Sequence, residues 1–165
     1  VYIGGYLISI SKIRKIFVVD LSGLGPERST IWLYLKKLLP MKKIIHTPKA
    51  PSAIGPYSQA TEMNGMLFIS GQVPIDPETG KLIEGDIKAQ TEQVMKNIEA
   101  ILTAAGYTFG DVVKSTCLLS DMAYFKEMND IYGRYYPENP PARAAFAVKE
   151  LPLGVDIEIE TIAVK

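Results

Sequence analysis

Arg143 follows the run Asn139-Pro140-Pro141-Ala142 and precedes a strand-like stretch, Ala144 to Val148, with Glu158 on the next strand-like stretch. Two prolines hold the backbone extended and fix where the following side chain points. A guanidinium at that place offers a planar fork with a permanent charge, the geometry that suits a carboxylate ligand. Arg143 and Glu158 would equally make an ordinary structural salt bridge, so by themselves they leave two readings open.

Other kinds of chemistry find less material. The chain has one histidine and one cysteine, which gives no zinc-ligand spacing and no Ser/His/Asp signature. Cys117 falls in the middle of the strand-like stretch Val112 to Leu119, where a small buried hydrophobe is expected in preference to a nucleophile. His46 is expected at the surface. No GxGxxG or Walker sequence occurs, so nucleotide binding has no support.

Composition bounds the partners. The length and apolar content suit one domain of ordinary size with its own core. Formal net charge is zero but unevenly spread: residues 1–40 carry six Lys or Arg against two acids, and residues 41–165 carry twelve against sixteen. An acidic domain without a basic stripe lacks the electrostatic footprint of a nucleic-acid binder, so no nucleic-acid partner is expected. A single cysteine excludes an internal disulfide and points to a reducing compartment, hence the cytoplasm.

The elements that must position these residues begin at Met41. Residues 1–40 mix short apolar runs (Phe17 to Val19, Ile31 to Leu35) with basic residues and a loop-like Ser22-Gly23-Leu24-Gly25-Pro26. They lack the uninterrupted apolar run of a membrane helix, and charges break any signal-peptide core, so no membrane association is expected. We read this stretch as an extension upstream of a natural start at Met41, with a transit peptide as the alternative, and 41–165 as the working domain.

Within 41–165, Asn64-Gly65 between Tyr57 to Met63 and Met66 to Ser70 predicts a tight hairpin, and Asp76-Pro77-Glu78-Thr79-Gly80 predicts a turn. Ile87, Val94, Met95, Ile98, Ile101, Leu102 and Ala105 share one face at helical period, with Asp86 as N-cap and Gly106 closing the helix. A strand over Val112 to Leu119 comes next. Asp121 then starts a second amphipathic helix through Phe125, Met128, Tyr132 and Tyr135, whose aromatic stripe is expected to be core. Strands Ala144 to Val148 and Ile157 to Val164 complete a ββαβαββ order. Two helices cover one face of such a sheet; apolar residues on both faces of Val112 to Leu119 require a partner for the other, by self-association or by residues 1–40.

Four motifs in order, Ile54-Gly55-Pro56-Tyr57-Ser58-Gln59, Phe68-Ile69-Ser70-Gly71-Gln72-Val73-Pro74, Pro141-Ala142-Arg143 and Ile157-Glu158-Ile159-Glu160, resemble the reactive intermediate deaminase (Rid, formerly YjgF) family over nearly all of 41–165. The resemblance implies an α+β, chorismate-mutase-like domain, one mixed sheet with two helices on one face, assembling as a homotrimer with ligand clefts between subunits. It implies hydrolysis of 2-imino acids and their enamine tautomers, such as 2-iminobutanoate, 2-iminopropanoate and 2-aminoacrylate, to 2-keto acids and ammonia, with no cofactor and no metal. Carried over by position, Arg143 would bind the substrate carboxylate and Glu158 would position or activate water. Tyr57 and Asn129 would line the cleft, with the Ser70-Gly71 backbone beside it. An imine carbon is already electrophilic once its nitrogen is protonated, so orientation and a proton acceptor suffice. Ala145 departs from the pattern, since many members carry cysteine there. Glu160 is expected to be a solvated or trimer-axis charge. Two other classes stay open: a module that senses 2-keto acids without turnover, and a chaperone-like interaction protein.

Overall fold

The computed structural model describes residues 2–3, 6–7 and 41–165. The chain divides into two units, Val1–Leu39 and Pro40–Lys165. In the first, β1 (Tyr2–Ile3) pairs antiparallel with β2 (Tyr6–Leu7). The loop and apolar runs read in residues 17–35 lie outside the described residues.

The second unit runs β3 (Lys43–Ile45), β4 (Ala60–Met63), β5 (Met66–Gln72), α1 (Ile87–Ala105), β4 to β5 having turned first through the hairpin, then β6 (Val112–Leu119), α2 (Phe125–Tyr135), β7 (Ala142–Ala147) and β8 (Ile157–Val164). The strands form one sheet in the order β3-β4-β5-β8-β6-β7, antiparallel throughout except for the parallel pair β6 and β7. The expected ββαβαββ order is present, preceded by β3, which sequence reading passed over. Three residues with only Ile45 buried give no periodicity to read.

Local chemistry explains most boundaries. Asn64 and Gly65 take φ 55° and 74°, the left-handed pair a two-residue hairpin needs. Asp86 caps α1 by accepting from Ala89 N–H at 3.0 Å, and Gly106 ends it at φ 81°. Asp121 caps a short 3-10 turn, Met122–Tyr124, that leads into α2, so the second helix starts one turn later than expected. The strand expected from Tyr57 begins instead at Ala60, because Gln59 draws the preceding chain into a loop. Its buried amide donates to the carbonyls of Thr47, Ala50 and Pro51 and accepts from Thr47 N–H at 2.7 Å. The strand expected from Ala144 begins at Ala142 and contains Arg143, pairing with β6 directly after the prolines.

Leu67, Ile69, Cys117, Leu119, Ile157, Ile159 and Ala163 point to one face of the sheet, into a single core with Val94, Met95, Ile98 and Leu102 of α1 and Met128 and Tyr132 of α2. Neither α1 nor α2 lies on the opposite face. Phe68, Phe146 and Val164 stand there, between 39% and 47% exposed.

Candidate active site

β5 and β8 run in register from Met66↔Val164 to Ile69↔Thr161, and resume at Gln72↔Ile159. Three steps on β5 thus meet two on β8. The extra residue makes a bulge at Ser70-Gly71 and turns that backbone out of the ladder. Ser70 N–H donates to Gln59 O at 3.0 Å, and Ser70 Oγ donates to Ser58 O at 2.7 Å. The buried Gln72 amide donates to Ser70 O at 3.0 Å, and Asn97 of α1 donates to Val73 O and Ile75 O. These bonds hold the exit from β5 rigid.

Glu158 stands over this bulge. A Cβ built on Gly71 would fall inside contact distance of Glu158 Oε1, so glycine is what leaves the carboxylate room. Half-burial pushes the Glu158 carboxyl above the usual range, and Glu160 adds to the rise. Glu160 itself is exposed, as expected. Around Glu158 lies a cleft of about 540 Å³ lined by Ser70, Gly71, Gln72 and residues of the Pro51–Tyr57 loop, with the exposed Pro152 and Leu153 at its rim. Tyr57 OH accepts from Ile54 N–H at 3.2 Å, fixing the phenol within that loop.

Of the expected site residues, Tyr57, Ser70, Gly71 and Glu158 therefore share one cleft. Arg143 and Asn129 make a separate cluster. Arg143 pairs with Ser115 on β6, and Glu158 pairs with Leu118 on β6 from the other side. Their strands are not neighbours, and since 115 and 118 differ by an odd number the two side chains leave opposite faces of the sheet. The salt-bridge reading is thereby overturned: Arg143 is absent from the ion pairs among the described residues.

Arg143 is instead seated on α2. Its Nη2 donates to Asn129 Oδ1 at 2.7 Å, and its guanidinium lies over the Tyr132 ring at 4.6 Å and 5.6 Å from the Phe125 centroid. Phe125, Asn129 and Tyr132 are spaced four and three apart, one face of the helix. Asn129 thus orients the arginine, and it does not line the Glu158 cleft of its own chain. Tyr132, expected only as core, has its hydroxyl end buried and its ring face under a cation. Its helical spacing with Asn129 was the available signal; the partner strand was not readable.

Cys117 is buried, its thiol pushed up to about 11 by burial, with Arg143 opposing only in part. It lies beside Ala145 on the neighbouring strand, so the thiol absent at 145 is not replaced by a reactive one. His46 is exposed. Among the described residues no three His, Cys, Asp or Glu gather as a metal-ligand set, and no helix is long and apolar enough to cross a membrane.

A family model described as endoribonuclease L-PSP matches residues 47–165. The chain is 49% identical over 125 residues to the 2-iminobutanoate/2-iminopropanoate deaminase of Mus musculus, covering 76% of this chain and 93% of that protein. It is 55% identical over 125 residues to a RutC family protein of Pyrococcus horikoshii, covering 76% and 99%. The crystal structure of E. coli TdcF with bound serine superposes with a TM-score of 0.72 at 40% identity, covering 74% of this chain and 98% of that one.

Proposed function

Because this chain belongs to the endoribonuclease L-PSP family, the Rid (YjgF) family of the sequence resemblance, we propose that its 41–165 domain hydrolyses 2-imino acids and their enamine tautomers to 2-keto acids and ammonia. The observation that carries this reading is the Glu158 carboxyl, raised by burial, above a glycine bulge in a cleft that also holds Tyr57. A carboxyl tuned upward holds a proton more tightly than an ordinary glutamate, which suits a group that takes a proton from water and hands it on.

The reaction needs three things from the protein. The Arg143 fork, held by Asn129 and Tyr132, binds the substrate carboxylate and fixes the imine carbon. Glu158 takes a proton from water as its oxygen adds to the protonated imine carbon, giving a tetrahedral carbinolamine. The proton then passes to nitrogen, the C–N bond breaks, and ammonia leaves as the carbonyl forms, its hydroxyl proton returning to Glu158. No covalent bond to the protein is required.

Arg143 and Glu158 stand on opposite faces of one sheet, so we place the substrate between copies: the arginine of one meets the cleft of the next. A homotrimer closing over the bare face, with Phe68, Phe146 and Val164 buried, would supply that arrangement. Serine in the E. coli TdcF structure supports a site for small acids bearing a carboxylate. RNA cleavage, named in the family description, fits less well: the domain has sixteen acids against twelve basic residues, and its cleft is built around a carboxylate that repels phosphate.

The test is a coupled assay that generates 2-iminobutanoate in situ and follows its loss. Addition of this protein should accelerate the loss and release ammonia in equal amount. A rate indistinguishable from the protein-free control would rule the activity out and leave a binding module.

A further inference from the structure

Pro152-Leu153-Gly154-Val155 turns the chain at the rim of the cleft just before β8. Leu153 takes φ 60°, ψ 12° and Gly154 takes φ 69°, and Val155 N–H donates to Pro152 O at 3.4 Å. A turn with two successive left-handed residues is relaxed with Asn, Asp or Gly at its first central position. Leucine is unfavourable there twice over. Its Cβ crowds the backbone, and 65% of the residue stands in solvent. Strain kept at the edge of a ligand cleft marks a side chain retained for what it touches.

The lining of the cleft is divided between polar and apolar groups. Glu158 is charged and acts on water in the function proposed above; Ile54, Val73 and Leu153 are apolar and have no task in that chemistry. A 2-imino acid has the same division, with a carboxylate and imine at one end and an aliphatic chain at the other. We propose that Leu153 sets which substrate side chain the cleft accepts, its isobutyl group covering the aliphatic end of the acid. This rests on the proposed ligand class, and the strained turn is what aims the leucine. An isobutyl group held against an aliphatic chain favours each added methylene; a smaller or polar residue at 153 leaves that end wet.

The experiment uses the full chain and two variants that suit a left-handed turn, Leu153→Asn and Leu153→Gly. Calorimetry gives the affinity for two stable 2-keto acids, unbranched 2-oxobutanoate and branched 4-methyl-2-oxopentanoate, alongside the thermal midpoint and the mass in solution. The preference for the branched over the short acid should fall about tenfold in both variants. The midpoint should hold or rise as the strain is relieved, and the mass should not change. An unchanged preference would overturn the proposal, as would a loss of mass accompanying the fall, since Leu153 would then be a subunit contact. Failure of the wild type to bind either acid also overturns it. A wild type that hydrolyses no imine but shows the Leu153-dependent preference would sink only the hydrolytic reading; hydrolysis with a Leu153-independent preference would sink only this one.

Discussion

Arg143 and Glu158 flank the same strand, β6, through partners three residues apart, Ser115 and Leu118, and so leave opposite faces of the sheet. Their backbones are separated by roughly 10 Å across two strand spacings and by about 10 Å along them. One small acid cannot be clasped by both within a single chain. β7, which carries Arg143, is an edge strand, and an edge is where a second copy can bring that arginine to the Glu158 cleft.

The seat of Arg143 gives the first expectation. Asn129→Ala removes the bond that fixes the guanidinium, and Tyr132→Leu removes the ring beneath it. A hydrogen bond to a charged group contributes about 1.5–3 kcal/mol, so Asn129→Ala should raise KM by roughly tenfold or more. Tyr132→Phe keeps the ring and should restore most of what Tyr132→Leu loses. Equal loss in Phe and Leu variants would mean that the ring face is not what matters.

Gly71→Ala should separate activity from stability. The new Cβ displaces the Glu158 carboxylate, but that group is half-exposed and can swing aside, so the thermal midpoint should change little. A displacement of about 1 Å at a reacting group costs on the order of a hundredfold in rate. Full activity in Gly71→Ala would show that the carboxylate need not stand where it does.

The raised Glu158 carboxyl sets the pH dependence. On the proposed role Glu158 must be ionised to accept a proton, so kcat/KM should fall on the acid side through a limb above the ordinary glutamate range, and Glu160→Gln should move that limb to lower pH. For stability the sign is opposite. A carboxyl whose folded pKa is raised contributes fully below its unfolded pKa and loses that contribution as pH rises through the folded pKa. Glu158→Gln should therefore hold or raise the thermal midpoint at neutral pH. Calorimetric melts and rate profiles across the same buffers check both.

The bare face should be an interface. Phe68 of β5 and Phe146 of β7 are exposed apolar side chains on it. Phe68→Asp should lower the mass in solution from trimer to monomer and abolish turnover while the circular dichroism of the fold persists. Light scattering showing a wild-type monomer at micromolar concentration would remove the composite site altogether.

Local signals were legible in the sequence where a single residue type decides the geometry. Asn64-Gly65, Asp86 and Gly106 fixed a hairpin and both ends of α1 because left-handed backbone and capping oxygens admit few residues. Tyr57, Ser70, Gly71 and Glu158 were readable as a set only through family motifs. What stayed hidden was strand order: nothing local says that β6 inserts between β7 and β8, so Arg143 and Glu158 read as a pair on adjacent strands. The seat of Arg143 on Asn129 and Tyr132 was hidden for the same reason, since it needs the contact between α2 and β7. Leu153 was missed because a left-handed leucine contradicts turn preference.

The most direct test of a composite imine-hydrolysing site is complementation between two inactive variants. Arg143→Ala and Glu158→Gln should each lose turnover by about two orders of magnitude or more. After unfolding them together and refolding the mixture, some interfaces combine the intact Arg143 of one copy with the intact Glu158 of another, and about a quarter of wild-type turnover should return for random assembly in a ring. Refolded mixtures no more active than either variant alone, or a Glu158→Gln protein that keeps near-full hydrolysis, would contradict it.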